Sequence, residues 1–194
     1  MLVPTALLAQ ATPVVPSPED TSPAAAVQGF PGQWNQWRGP KRSGHVAASV
    51  WPARLNNDNF KRDWRIEMGP SYSGPVVSTD IVFTTATEGK KTEVVTAASR
   101  SSGKIIWQVK WDGSMRVPFF AARNGSWIRS TPAFDGESLF VAGMLDVLVS
   151  LDAKTGKENW RVDFPERFQS NRESFGFVCS PLVDEDSVYV QTGA

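Results

Sequence analysis

The chain of 194 residues has one cysteine, Cys179, and one histidine, His45. A single cysteine excludes an internal disulfide framework and any all-cysteine metal site. A single histidine excludes, within this chain, the multi-histidine zinc and iron sites. Neither sign of charge is in excess, since 20 Lys and Arg stand against 20 Asp and Glu. Zero net charge gives no bulk attraction to nucleic acid or to an anionic membrane surface, so no nucleic acid partner is expected. No apolar run approaches the ~18 residues that a membrane-spanning helix needs, so no membrane span is expected either. What the chain does have is tryptophan, eight in all, with 41% apolar and 21% charged residues. That composition suits a globular protein with a substantial core.

The first 33 residues differ from the rest. Prolines 13, 16, 18, 23 and 31 fall here, and the only charges before Arg38 are Glu19 and Asp20. Such a stretch buries too little apolar surface to offset its ordering entropy, so residues 12–33 read as a disordered Pro-rich linker. Residues 1–11 are apolar and end Ala9-Gln10-Ala11. That ending fits the small-x-small cleavage site of a clipped signal peptide, although the basic leading region is missing. The localisation expected from it is periplasmic or secreted. No cysteine lies near the expected cut, which argues against lipid anchoring there.

Self-similarity is the strongest signal in the remainder. Three segments align: Trp64-Arg65-Ile66-Glu67-Met68, Trp107-Gln108-Val109-Lys110-Trp111 and Trp160-Arg161-Val162-Asp163-Phe164. Each alternates with period two, the mark of a strand with one buried face. Gly103-Lys104 and Gly156-Lys157 precede the second and third. Gly74-Pro75, Thr131-Pro132 and Ser180-Pro181 each open a short strand, where proline is tolerated because no ladder donor is required. An aromatic follows eight positions later in all three cases, at Phe83, Phe140 and Tyr189. The unit is four short strands: A begins at the proline, B carries the aromatic, C precedes the glycine turn and D carries the tryptophan. Recurrence every 49 to 57 residues is the pattern of a β-propeller, and a sandwich gives no reason for it.

These residues resemble the PQQ-like β-propeller repeat family, whose blade ends in a Thr-Gly-Lys-x-x-Trp turn and strand. Thr155-Gly156-Lys157-Glu158-Asn159-Trp160 matches closely, and the run from Ser99 to Trp107 more loosely, with Ser99 where the family prefers Asp. Trp34-Asn35-Gln36-Trp37-Arg38-Gly39-Pro40 resembles the lead-in of a secreted subgroup, as do Trp64, Gly69, Tyr72, Ser73 and Pro75 after it. The fold class expected is all-β: a partial propeller of antiparallel four-stranded blades, about two and a half of them, plus an orphan outer strand headed by Trp64. Residues 34–63 form the lead-in, and 64–194 the N-terminal part of the propeller.

Trp64, Trp107, Trp160, Gly103 and Gly156 read as structural repeat residues. Trp107 and Trp160 are expected to bury between neighbouring blades, and the glycines to supply the positive φ of the C–D turn. Cys179 reads as a small apolar residue, and His45 as a loop residue. True quinoprotein dehydrogenases of the family bind PQQ and Ca²⁺ on the propeller axis, and the resemblance then implies a vicinal cysteine pair and Glu, Asn and Asp ligands. The pair is absent, and Asp112, Glu166 and Glu173 lie in no matching motif. No cofactor, metal or catalytic residue is therefore expected in this segment. The long D–A loops carry Arg116, Arg123, Trp127 and Arg129, then Arg172 and Phe175. Arginine and aromatic residues are enriched where binding energy concentrates, so these six form the candidate binding face. The leading expectation is an exported, non-catalytic binding or scaffolding module whose partner is another envelope protein or an extracellular ligand. The alternative is the N-terminal piece of a PQQ-dependent quinoprotein dehydrogenase whose catalytic blades lie beyond residue 194. A relative of the outer-membrane-assembly propeller lipoprotein is a weaker reading, because the lipobox cysteine is missing.

Overall fold

The computed structural model describes residues 33–46, 54–58, 60–113, 115–172 and 174–192. The expected signal peptide and all but the last residue of the expected linker lie outside them. Two antiparallel meanders and a hairpin make up the sheet structure. Strands β1 (Val76–Val77), β2 (Ile81–Glu88), β3 (Thr92–Ser99) and β4 (Ile105–Asp112) form the first blade in sequence order. Strands β5 (Ala133–Phe134), β6 (Ser138–Gly143), β7 (Val147–Asp152) and β8 (Glu158–Asp163) form the second. A one-turn helix, α1 (Phe164–Phe168), follows, and β9 (Leu182–Asp184) with β10 (Ser187–Tyr189) opens the third. This is a partial β-propeller, as the repeat pattern predicts. Among the described residues no helix is long and apolar enough to cross a membrane.

Register explains the constant spacing from proline to aromatic. Phe83 pairs with Val76, Phe140 with Ala133 and Tyr189 with Leu182, so each aromatic stands opposite the residue after the proline. A bulge also recurs. In blade one it sets Ile106 out of register beside Trp107, and in blade two it does the same to Asn159 beside Trp160. An extra residue there sharpens the local twist just where the outer strand begins. Gly103 (φ 71°) and Gly156 (φ 74°) make the turns into those strands in the left-handed region. In blade two the Asp152 carboxylate caps the turn, accepting the backbone N–H of Lys154 and Thr155 and the Thr155 hydroxyl at 3.1, 2.8 and 2.7 Å. The Thr155 contacts hold that carboxyl below its ordinary pKa. Blade one has Ser99 there, and its hydroxyl meets that of Ser101; the looser sequence match is a looser cap.

The core lies between blades. Phe83 sits 5.4 Å from Phe134 and 6.0 Å from Trp107, among Val95, Leu139, Val141 and Leu151. A second cluster joins Phe140 and Leu148 to Phe177 and Val183. The Trp107 ring, 9% exposed, covers Gly156 of the next blade, and its Nε1 donates to Ala153 O at 3.0 Å. Trp64 repeats the arrangement one blade earlier: it covers Gly103 and donates to Arg100 O at 2.7 Å. Its segment does the packing expected of an outer strand without forming a ladder among the described residues. Trp160 is 39% exposed, contrary to the expectation of burial between blades. No Gly turn of a following blade is described to cover it.

Candidate functional site

A line of hydroxyls ties the inner ends of the blades together. Gly74 N donates to Thr131 Oγ1 and Thr131 N to Ser180 Oγ, both at 3.0 Å. In blades two and three the residue before the proline therefore receives the N–H of its counterpart one blade earlier. This is why Thr and Ser occupy that position in blades two and three, a role the alignment of motifs does not show. The lead-in occupies the inner sheet edges. Trp34 exchanges backbone hydrogen bonds with Val77 at 2.7 and 2.8 Å, and Asn35 O accepts Phe134 N at 2.8 Å. Edge groups of both first strands are thereby paired rather than bare. The Trp34 ring packs against Gly39, which has a φ of 79°, and Trp37 and Arg42 on either side of that glycine line one pocket with Tyr72 and Arg129.

On that side the D–A loops converge, and aromatic rings and arginines interleave. Arg129 stacks 5.0 Å from the Tyr72 ring and 5.4 Å from Phe175. Tyr72 lies 5.2 Å from Trp127, Phe175 6.3 Å from Phe120, and Phe120 5.8 Å edge-on to Phe119. Guanidinium over aromatic faces is attractive through the ring quadrupole. The loops are also tied to the blades. Ile128 N donates to Thr87 Oγ1 and Tyr72 N to Ile128 O, at 3.0 and 2.9 Å, and the Tyr72 hydroxyl donates to Asn124 O. Phe119 is 91% and Phe120 70% exposed.

Of the six residues expected at the binding face, Trp127, Arg129 and Phe175 meet through Tyr72. Arg116 lies beside them on a groove of about 500 Å³ with Lys90, Lys91 and Trp127. Arg123 is exposed in the short helical turn Ala122–Asn124. Arg172 faces Asp163 at 4.0 Å and makes none of the ring contacts of this cluster. Trp37, Arg42 and Tyr72 escape a reading of the loops alone, because they reach the face from elsewhere in the chain. Glu93 escapes it entirely. It is fully buried in β3, where its Oε2 accepts Trp111 Nε1 and its Oε1 accepts Met144 N, both at 2.7 Å. Burial pushes its carboxyl up to about 7, against the pull of those two donors and of Arg161.

Among the described residues no group of three or more His, Cys, Asp or Glu is placed to hold a metal ion. Asp112 and Glu166 are exposed, Glu173 lies outside the described residues, and Cys179 is the one thiol. These residues therefore offer no three-ligand set of that kind for a Ca²⁺ ion, and no chemical step is assigned to PQQ.

A family model described as outer membrane protein assembly factor BamB matches residues 90–194. A polyvinylalcohol dehydrogenase of Sphingopyxis sp. (strain 113P3) is 27% identical over 154 residues, which are 78% of this chain and 22% of that protein. Among solved structures, a europium-containing methanol dehydrogenase superposes with a TM-score of 0.58 at 20% identity, over 85% of this chain and 28% of its own. BamB from Moraxella catarrhalis gives 0.46 at 19% identity, over 67% of this chain and 33% of its own. The chain thus spans between a fifth and a third of the length of these proteins.

Proposed function

The chain belongs to the PQQ-like β-propeller repeat family, and on that premise we propose that it is an exported, non-catalytic binding or scaffolding module of the cell envelope. The observation that carries the reading is the pair Phe119 and Phe120. They stand 91% and 70% exposed at the tip of a loop that is otherwise held down by its own hydrogen bonds. Large apolar side chains gain about 25 cal/mol per Å² when a partner covers them, and exposed aromatic pairs beside arginines are the kind of surface at which protein partners dock. Arg116 and Arg123, both exposed on the same loop, flank the pair. Support for a protein partner in the envelope comes from the family description.

The test is capture of partners from an envelope extract by the immobilised chain, compared with Phe119→Ala/Phe120→Ala. The double variant is expected to keep its folding stability within about 0.5 kcal/mol, as exposed positions do, and to lose the captured protein. Unchanged capture by a stably folded double variant rejects this face.

A second reading has one observation in its favour, the similarity to a polyvinylalcohol dehydrogenase. Under it the chain is the N-terminal piece of a PQQ-dependent dehydrogenase, and the cysteine pair and metal carboxylates are supplied by further blades. Reading the gene downstream of residue 194 separates the two: those ligands favour the enzyme, and their absence from a completed ring favours the module.

A further inference from the structure

Where the β2–β3 turn meets the loop that leaves β4, a groove of about 500 Å³ opens on the surface, lined among others by Lys90, Lys91, Met115, Arg116 and Trp127. None of its lining residues belongs to the inner strands β1 and β5. Its volume falls within the ~300–1,000 Å³ of recesses that take ligands. The exposed pair Phe119 and Phe120 stands on the same loop, between Arg116 and Ala122, both of which line the groove.

The charge here has one sign. Residues 113–134 hold Arg116, Arg123 and Arg129 and no acid. Lys90, Lys91, Arg116 and Arg123 are exposed, and none of the four enters an ion pair among the described residues. No carboxylate lines the groove. Of the acids nearby, Glu88 is held by Lys110 at 2.6 Å, and Glu93 is buried with its oxygens accepting from Trp111 and Met144. Asp112 is exposed and pairs with none of the four cations. Three like charges around one recess repel one another, and an anionic occupant removes that cost.

The recess is fixed before anything fills it. Gly113 N donates to Lys91 O at 2.9 Å, Val117 N to Ser126 Oγ at 3.3 Å and Ile128 N to Thr87 Oγ1 at 3.0 Å. The Trp127 ring lies so close to Gly125 that a Cβ there would overlap it. A recess held in this way loses little freedom on binding. The Thr87 and Ser126 hydroxyls already serve the loop, so the groove offers an occupant cationic heads and the apolar surface of Met115 and Trp127. We propose that it seats an extended acidic segment of a protein partner, with carboxylates against Lys90, Lys91 and Arg116 and an apolar side chain over Met115 and Trp127. This rests on the reading of the Phe119–Phe120 tip as a protein-docking surface and adds the chemistry that the partner brings. A recess between a turn and a loop suits a peptide chain, whereas a flat anionic bilayer would meet only the tip.

Selection from a random peptide library against the full chain, followed by fluorescence anisotropy with the tightest peptide, tests the assignment. The selected peptides should be enriched in Asp and Glu around an apolar residue, and their affinity should fall as salt rises. Lys90→Glu/Lys91→Glu and Arg116→Glu should each weaken binding at least about tenfold, and Lys90→Gln/Lys91→Gln by a smaller factor. All three should melt with the parent, because the positions are exposed. Selected peptides without acidic enrichment, or acidic peptides that bind the charge-reversed variants as tightly as the parent, overturn the proposal. Sedimentation with phosphatidylglycerol vesicles that is lost in the same variants, with no peptide selected, overturns it in favour of a membrane surface. Capture of an envelope protein that needs Phe119 and Phe120 but is indifferent to Lys90→Glu/Lys91→Glu rejects the groove and leaves the tip as the docking surface. Capture indifferent to both pairs of changes rejects groove and tip together.

Discussion

Glu93 Oε1 accepts the backbone N–H of Met144 at 2.7 Å across the boundary between the first and second blades. The other carboxylate oxygen is held by Trp111 from its own blade. Gly113 and Gly143 lie so close to this carboxyl that a Cβ on either would overlap it. A fully buried acid therefore fastens one blade to the B–C turn of the next.

Stability should consequently depend on pH. The unfolded glutamate ionises near 4.5, whereas the folded one keeps its proton until about 7. Between those values the folded state holds more protons, so stability falls as pH rises through the window and is fullest below it. The loss is on the order of 3 kcal/mol at most, at 1.36 kcal/mol per pKa unit. Urea denaturation at about pH 5 and pH 8 should show the slope in the parent chain and a flatter one in Glu93→Gln. Parallel profiles would assign the pH dependence to other groups.

The three repeat tryptophans should differ in weight. Trp107→Ala removes a buried ring and a hydrogen bond to Ala153, and should cost about 3–5 kcal/mol. Trp64, only partly buried, should cost less, and Trp160 less again, since its ring is 39% exposed. Equilibrium unfolding of the three single variants checks the order. An equal loss at Trp160 would contradict the exposure seen here.

Gly156→Ala should be far worse than Gly89→Ala. Both glycines have positive φ, 74° and 61°, which costs an L-residue about 1–2 kcal/mol. At Gly156 an added Cβ would also lie 2.8 Å from the Trp107 ring, whereas at Gly89 it meets nothing within 4 Å. Melting curves showing similar losses would mean that the ring moves aside freely.

Thr131→Val keeps the side-chain shape but leaves Gly74 N without its acceptor. Ser180→Ala does the same to Thr131 N. Each should cost about 1–3 kcal/mol, the penalty for an unmet donor away from water. Amide exchange at Gly74 and Thr131 reports the effect directly: protection should fall at the orphaned N–H and not across the whole blade.

The strands of the two full blades and their order were readable from the chain, whereas the Trp64 segment expected as an outer strand forms no ladder among the described residues. Alternation, the proline eight places before an aromatic and the Gly-Lys turn before a tryptophan are all local patterns, and antiparallel meanders turn local patterns into neighbouring strands. The inter-blade burial of Trp107 was foreshadowed because a Gly-Lys turn followed by a tryptophan recurs in two of the units. The candidate face was visible only in part. Trp127, Arg129 and Phe175 stood out as residue types in long loops, yet Tyr72, which joins them, sits in a different connection, and Arg172 turned instead toward Asp163.

Residues separated by whole blades met in ways that no periodicity encodes. The lead-in was recognisable as a motif, but that Trp34 and Asn35 close the inner edges of two blades follows from where those edges come together. Arg42 and Arg129 share a pocket only once the lead-in is folded back across the blade ends. Glu93, in a strand with nothing unusual about its pattern, became a buried acid because the next blade's turn covers it and shuts out water. Local sequence specifies the blade, since each strand's pattern and turns lie within a few residues of one another. Burial, charge isolation and the pairing of donors are set between blades, and those depend on surfaces that come together only in the assembled fold.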